Sequence, residues 1–340
     1  MMTTPIMTAQ EFLQIDLPAM TAAVLACISC ALVGNFLVLR RQSMLGDAIS
    51  HAILPGIVVG FLVTGSRAGL PVIIGALAAA VLAGVLIEAV RRLGRLDGGA
   101  AMGVVFTVMF AGGVVLIEQG AARAVDLDAD CVLYGQLEAI LWLAPTRWSD
   151  LADPAVWADL PHQVVVLAAV ALLCIVCVTL FYKELALTSF DPNLATTLGY
   201  PAGLFHYGVV VLVAVAAIAS FEAVGSILVV AMLICPAATA RLLTDRLPVQ
   251  LWLSVLIGGV TGAGGYLLGA FGPSVLAGEP ADALNAAGMI ATLAGVLLTA
   301  AVLFAPRHGI LGRRHAALKA SDDEQDGGKR NEVVSNAATR

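Results

Sequence analysis

Two ionisable residues, Asp47 and His51, lie four positions apart in the apolar sequence RRQSMLGDAISHAILPG, residues 40–56. In a helix, side chains at this spacing project from one face, with Cβ atoms about 5–6 Å apart. An ionisable group inside a membrane helix costs roughly 2.5–3.5 kcal/mol, so it persists where it faces a pore or a partner. A carboxylate oxygen and an imidazole nitrogen together suit a divalent first-row metal ion. The alternative is structural: Asp47 would cap a helix start, and a neighbouring helix would satisfy His51.

The chain contains no H-E-x-x-H, G-x-S-x-G or Walker A pattern. An intramembrane hydrolase would therefore lack its catalytic residues, and the chain cannot hydrolyse a nucleotide by itself. We therefore expect that the chain is not an enzyme. Any energy input would come from another subunit or from an ion gradient, and no nucleic-acid partner is expected.

The composition indicates an all-α, polytopic membrane protein. Of the 340 residues, 60% are hydrophobic and 12% are charged, whereas soluble proteins average about 25% charged residues. A membrane-spanning helix needs about 17–25 mostly apolar residues. Candidate segments of about this length are 17–39, 46–66, 69–88, 99–117, 163–182, 203–221, 223–240, 248–270 and 283–305. Only Phe221, Glu222 and Ala223 join the sixth and seventh, so one of these is expected to be re-entrant or broken, giving eight or nine crossings.

The distribution of Lys and Arg predicts the orientation of the chain. With the N-terminus outside, fifteen basic residues fall on the cytoplasmic side, and only Arg67, Arg123 and Arg147 fall outside. We predict a short extracytoplasmic N-terminus at 1–16 and a transmembrane domain at 17–306. A disordered cytoplasmic tail is predicted at 307–340, because that segment is polar and has no apolar period.

Two predicted cytoplasmic segments suit the docking of a soluble partner. In residues 182–201, Phe190 precedes Asp191 and Pro192, a pair typical of a helix N-cap followed by proline at the first helical position. The second segment, residues 225–248, runs from an apolar helix into a short amphipathic turn. Ordinary interhelical loops are the alternative for both segments.

Four stretches, in this order, resemble the metal-ion ABC transporter permease family, the ABC-3 family of bacterial manganese, zinc and iron importers. They are LVLRRQSMLGDAISHAILPGIVVGF, LDADCVLYGQLEAI, SFDPNLATTLGYP and FEAVGSILVVAMLICPAATARLLT. The resemblance covers about residues 15–310. The second stretch is more similar to the branch assigned to manganese or iron than to the zinc branch.

The resemblance implies the permease of a type II ABC importer in the bacterial inner (plasma) membrane. Its partners would be cytoplasmic ATPase subunits, an extracytoplasmic metal-binding protein, a second permease subunit (the same chain or a related one) and the lipid bilayer. No cofactor would be permanently bound, since the divalent metal ion (Mn, Zn or Fe) is the substrate.

The resemblance also implies roles for particular residues. Asp47 and His51 would line the translocation path and bind the metal. Glu222 would support the metal ligands or gate the path, with a helix-end cap as the alternative, and Phe190, Asp191 and Pro192 would add a cytoplasmic contact. The segment that couples the permease to the ATPase would comprise Pro236, Ala237, Ala238, Thr239, Ala240, Arg241, Leu242, Leu243 and Asp245.

Two other functions remain open from the sequence. A permease for metal chelates, of the siderophore or cobalamin type, could share the architecture, but it has no need for a paired aspartate and histidine. A secondary transporter driven by an ion gradient would normally show an internal repeat with interrupted helices at matching positions. The sequence shows no such repeat.

Overall fold

The computed structural model describes residues 9–64, 70–121, 135, 137–277, 283–305 and 309–310. These residues form helices joined by short connections, and no strand occurs among them. The predicted all-α fold is therefore confirmed for this part of the chain. Residues 1–8, most of the acidic loop at 122–134 and the predicted tail from 311 onward lie outside the described residues.

The twelve α-helices of six or more residues in the described part of the chain are numbered here in chain order. They are α1 (Leu17–Leu39), α2 (Met44–Ala52), α3 (Leu54–Thr64), α4 (Leu70–Gly94), α5 (Gly98–Ala121), α6 (His162–Leu180), α7 (Tyr182–Phe190), α8 (Pro192–Thr197), α9 (Ala202–Val224), α10 (Ser226–Leu243), α11 (Leu247–Ala277) and α12 (Ala286–Phe304). A π-helical turn, Phe12–Asp16, leads into α1. Short helices at Leu137–Ala139, Trp148–Ala152 and Pro154–Trp157 occupy the loop before α6.

Eight helices in the described part of the chain are long and apolar enough to cross a membrane. One of them combines α2 and α3 into a single span, Met44–Thr64. The candidate at 223–240 corresponds to α10, whose apolar part is too short to count among the eight. Eight helices therefore have the length and composition of a full span, and the one that falls short, α10, belongs to the pair between which the sequence predicted an interruption. The interruption itself lies at Gly225, beyond the predicted junction at 221–223, which is the end of α9.

The interruption lies at Gly225, between α9 and α10. Gly225 has a φ of 79°, a left-handed conformation that glycine adopts without a side-chain clash. Near the start of α9, His206 contacts Arg40 at the end of α1. Beyond the break, Leu233 in α10 returns to the level of Gly34 in α1. The chain therefore turns back at Gly225, and α10 brings it to the side from which α9 started.

Helix α1 is the centre of the packing. It contacts α6, α9, α10 and α11, and most of its side chains are buried. Glycines permit the closest of these contacts. A Cβ atom at Gly34 would lie 1.8 Å from the carbonyl oxygen of Leu233, and one at Gly262 would lie 3.0 Å from the Cα atom of Val24. Small residues allow helix backbones to approach in this way inside membranes.

A buried polar network fixes α1 against α11. The Asn35 Nδ2 group donates to Ser254 Oγ at 2.6 Å, and Gln250 Nε2 donates to Asn35 Oδ1 at 2.9 Å. All three side chains are buried. Because lipid offers no hydrogen-bond partner, these groups must face each other. The network thereby sets the rotation of α1 about its own axis.

The close contact between α1 and α10 predicts that adding one methyl group at Gly34 destabilises the protein. Gly34→Ala should force the two backbones apart and destabilise the protein by about 1–3 kcal/mol, so that it unfolds at a lower temperature in detergent. Gly259→Ala in α11 is the matched control, because a Cβ atom there meets nothing within 4 Å. An unchanged unfolding temperature for Gly34→Ala would contradict the close approach of α1 and α10.

Candidate metal site

Helix α2 presents the two residues that the sequence selected. It begins at Met44 with Ser43 at the N-cap, so Asp47 is the fourth residue of the helix. The alternative in which Asp47 caps the helix start is therefore wrong. The first turns of α2 instead place Asp47 and His51 on one face.

Proline ends α2 directly after the site. A residue at position 55 would normally donate its N–H group to the carbonyl of His51, but Pro55 has no N–H group. Ile53, between α2 and α3, keeps right-handed helical φ and ψ of −75° and −18°, and its N–H donates to the carbonyl of Ile49 at 3.1 Å. The boundary between α2 and α3 is therefore a gap in the hydrogen bonding of a backbone that stays helical, two residues after His51.

The carboxylate of Asp47 and the imidazole of His51 converge. Asp47 Oδ1 and His51 Nε2 are 3.5 Å apart, and the side chains are 44% and 29% exposed, respectively. Two ligands that each lie about 2.1 Å from one ion can be at most about 4.2 Å from each other. The separation is therefore compatible with both atoms binding the same cation.

Aromatic rings from α5 surround the histidine. The ring centroid of His51 lies 5.4 Å from that of Phe106 and 5.5 Å from that of Phe110, the second in an edge-on arrangement. Among the described residues, the polar partner of His51 is Asp47, and no neighbouring helix supplies another. The phenylalanines restrict the ring without competing for its nitrogen atoms. The imidazole is thus held by apolar packing while Nε2 faces the carboxylate.

One chain brings together two side chains of the types that bind metal ions at this position. Within the described ranges, no group of three or more His, Cys, Asp and Glu residues could hold a metal ion. Glu222 lies in α9, two residues before that helix ends at Val224. Its side chain falls outside what the structure describes, so its predicted role stays a prediction.

The predicted coupling segment lies mostly inside the protein. Pro236, Ala237, Thr239 and Ala240 are buried in α10, and only the last turn of the helix reaches the surface. Ala238, Arg241 and Leu242 are half-buried, whereas Leu243 and Asp245 are exposed. A partner protein could therefore contact the C-terminal end of this segment but not most of its length.

Helices α7 and α8 form a more exposed apolar surface. Asp191 Oδ1 accepts hydrogen bonds from the backbone N–H groups of Asn193 (3.0 Å) and Leu194 (2.9 Å), which confirms the predicted N-cap before Pro192. Phe190 and Leu198 are 59% and 60% exposed, and Leu194 is also exposed. We call Phe190, Leu194 and Leu198 the α7–α8 surface.

Sequence reasoning missed the contacts of Arg40. Its Nε donates to Ser189 Oγ at 3.0 Å, and Nη2 donates to Thr188 Oγ1 at 3.2 Å. Its Nη1 lies 3.4 Å from His206 Nδ1, which must be the acceptor because a guanidinium has no lone pair to offer. In the sequence, Arg40 was one of many basic residues on the predicted cytoplasmic side. No local pattern links it to residues almost 150 positions away.

Comparisons with known proteins agree with this architecture. The sequence profile of the ABC 3 transport family matches residues 10–142 and 159–304. Over 298 residues the chain is 40% identical to the manganese transport system membrane protein MntD of Bacillus subtilis (strain 168), covering 87% of this chain and 94% of that protein. It is 36% identical over 291 residues to the zinc transport system membrane protein TroD of Treponema pallidum (strain Nichols), covering 86% of this chain and 74% of that protein.

A solved structure shows the same fold. PsaBC from Streptococcus pneumoniae, in complex with Fab, aligns with a TM-score of 0.68 and 28% sequence identity, covering 88% of this chain and 94% of that chain. The family profile covers α2, which carries Asp47 and His51, and α5, which supplies Phe106 and Phe110. The chain is thus a multi-pass membrane protein that belongs to the ABC 3 transport family, the metal-ion ABC transporter permeases.

Proposed function

We propose that this chain is the permease of an importer for a divalent transition-metal ion, and that Asp47 and His51 bind the ion in transit. The observation that carries the proposal is the approach of Asp47 Oδ1 to within 3.5 Å of His51 Nε2 on a membrane-spanning helix. Partly exposed ionisable groups at such a position are typical of ion pathways. The names of MntD and TroD support a metal ion as the substrate.

A complete ion site requires more ligands than one chain provides. First-row divalent ions take four or more ligands, and Asp47 and His51 supply two. We propose that a second permease subunit, identical or related, contributes an equivalent pair across a shared axis. Water completes the coordination while the ion passes.

The choice of metal is proposed from the relatives rather than from affinity. An oxygen-and-nitrogen site binds zinc or copper more tightly than manganese in the usual order of divalent ions. We favour manganese because the relative with 40% identity is named for manganese transport, and we retain zinc and iron. Selectivity then depends on an extracytoplasmic protein that delivers the ion. The permease site needs only moderate affinity, because the ion must also leave it.

Energy is proposed to enter at the cytoplasmic face from partner ATPase subunits. With the N-terminus outside and the C-terminus in the cytoplasm, the α7–α8 surface and the end of α10 both face the cytoplasm. Exposed apolar side chains such as Leu194 and Leu198 suit a protein partner. The buried part of α10, Pro236–Ala240, would transmit movement by packing rather than by direct contact. Leu243 and Asp245, at the C-terminal end of α10, would contact the ATPase directly.

Replacing either proposed metal-binding side chain should strongly reduce transport. We expect Asp47→Asn and His51→Gln to reduce uptake of radioactive manganese by about 10–100-fold at unchanged abundance in the membrane. Asp159→Asn and His162→Gln are matched controls, because they make the same chemical changes at positions outside the site. Normal uptake by both site variants would contradict the assignment of Asp47 and His51.

A second experiment tests the docking surface. Replacing both Leu194 and Leu198 with serine removes apolar contact area, so the affinity for the ATPase subunit should fall by about 10–100-fold. Asn193→Ser is the control, because Asn193 is an exposed neighbour on the same helix. The measurement is the amount of ATPase that co-purifies with the permease. Full co-purification of the double variant would place the docking surface elsewhere.

A further inference from the structure

The side chain of Arg40 joins three elements at one end of the membrane domain. It leaves the last turn of α1 and donates hydrogen bonds to Thr188 and Ser189 of α7 and to His206 of α9. Thr188 and Ser189 are buried, and Arg40 is half-buried. The guanidinium thereby fixes the position of α7 relative to the helix bundle.

The partners of this charge are all neutral. Arg40 contacts two hydroxyl groups and one imidazole nitrogen that accepts a hydrogen bond, and no carboxylate pairs with it among the described residues. Burial lowers the pKa of Arg40 to about 10, so the group remains charged at neutral pH. A half-buried charge without a counterion is costly to retain. Its retention favours a role beyond filling space.

The connection from Arg40 to the metal site is short and tightly bonded. Gln42 N–H donates to the carbonyl of Leu37 at 2.9 Å, and Arg41 N–H donates to the carbonyl of Val38 at 3.1 Å. With Arg41 at a φ of 56°, this pattern is a Schellman motif. Leu45 N–H then donates to the carbonyl of Gln42 at 2.9 Å, at the start of α2. A displacement of Arg40 is therefore passed to α2, which carries Asp47 and His51.

On its other side, Arg40 contacts the residues next to the α7–α8 surface. Ser189 directly precedes Phe190, which begins that surface, and Asp191 caps α8 immediately afterwards. A partner that moves α7 and α8 would therefore move the hydroxyl groups that hold Arg40. Arg40 therefore lies between the α7–α8 surface and α2 in one continuous set of packed and hydrogen-bonded residues.

We infer that Arg40 is a positioning residue that couples movement of α7–α8 to the helix bearing Asp47 and His51. The inference rests on the proposed function, because it assumes that an ATPase acts on α7–α8 and that α2 holds the metal. To the proposed function it adds a route for mechanical coupling. The route runs from Thr188 and Ser189 in α7 through Arg40 and the turn at residues 40–43 to α2. A physical route of this kind requires a direct test of energetic coupling.

The test uses the whole transporter, with its ATPase subunits, reconstituted in vesicles. Both manganese uptake and ATP hydrolysis are measured, and their ratio reports coupling. Arg40→Gln should lower the uptake per ATP at least tenfold while ATP hydrolysis stays within twofold of the wild type. Arg40→Lys should restore part of the ratio at most, because an ammonium cannot reproduce the three directed contacts of the guanidinium. Arg41→Gln, the exposed neighbour in the same turn, should leave the ratio unchanged.

A second variant protects the test from misfolding of Arg40→Gln. Thr188→Val with Ser189→Ala removes two acceptors while retaining the arginine, and it should also lower the ratio. Adding Arg40→Gln to this pair should lower the ratio by clearly less than the two separate effects combined, because both changes break the same two of the three contacts of Arg40. Additive effects would overturn the inference, as would a normal ratio in both variants. A parallel loss of uptake and hydrolysis in the acceptor variant would show a merely structural contact and would equally overturn it.

The outcome is separable from that of the proposed function. If Asp47→Asn abolishes uptake and both the Arg40 and the acceptor variants transport normally, only the role of Arg40 fails. If Asp47→Asn transports normally, the metal-site assignment fails whatever Arg40 does.

Discussion

Direct backbone contact between α1 and its neighbours is the constraint on which the structure depends. In lipid, two apolar helices gain little from the hydrophobic effect when they associate, so close packing and internal hydrogen bonds must hold them together. Gly34 lets the backbones of α1 and α10 touch. Asn35, the next residue of α1, forms hydrogen bonds with side chains of α11. These contacts fix where α1 ends. They consequently fix where the turn at residues 40–43 and helix α2 begin.

Gly225 and Pro55 interrupt the helices on either side of one packing contact. α9 ends at Val224, and Gly225 leaves helical geometry with a φ of 79°. Between α2 and α3, next to Pro55, hydrogen bonding is interrupted although Ile53 keeps helical φ and ψ. α2 packs against both α9 and α10, the helices that flank Gly225. Non-helical backbone within a membrane must be enclosed by protein or line a cavity, so Gly225 depends on packing of this kind.

The site itself combines rigidity with incompleteness. Phe106 and Phe110 pack against the ring of His51, and Asp47 faces its Nε2 atom, so packing holds the two proposed ligands in place. Under the proposed function, two ligands from one chain would bind a first-row cation weakly. A transport site benefits from that weakness, because an ion that bound to four fixed side chains would be released slowly. A second subunit would then decide when the coordination is complete.

The sequence by itself determined those features that depend on residues close together in the chain. Apolar runs of membrane length predicted eight or nine crossings, and the spacing of Asp47 and His51 predicted their common face, because helical periodicity is local. Only the tertiary structure decided the burial of Pro236–Ala240 in α10 and the partners of Arg40. These depend on how distant helices pack, and Arg40 and Ser189 are 149 positions apart. No periodicity within either segment encodes a contact of that kind.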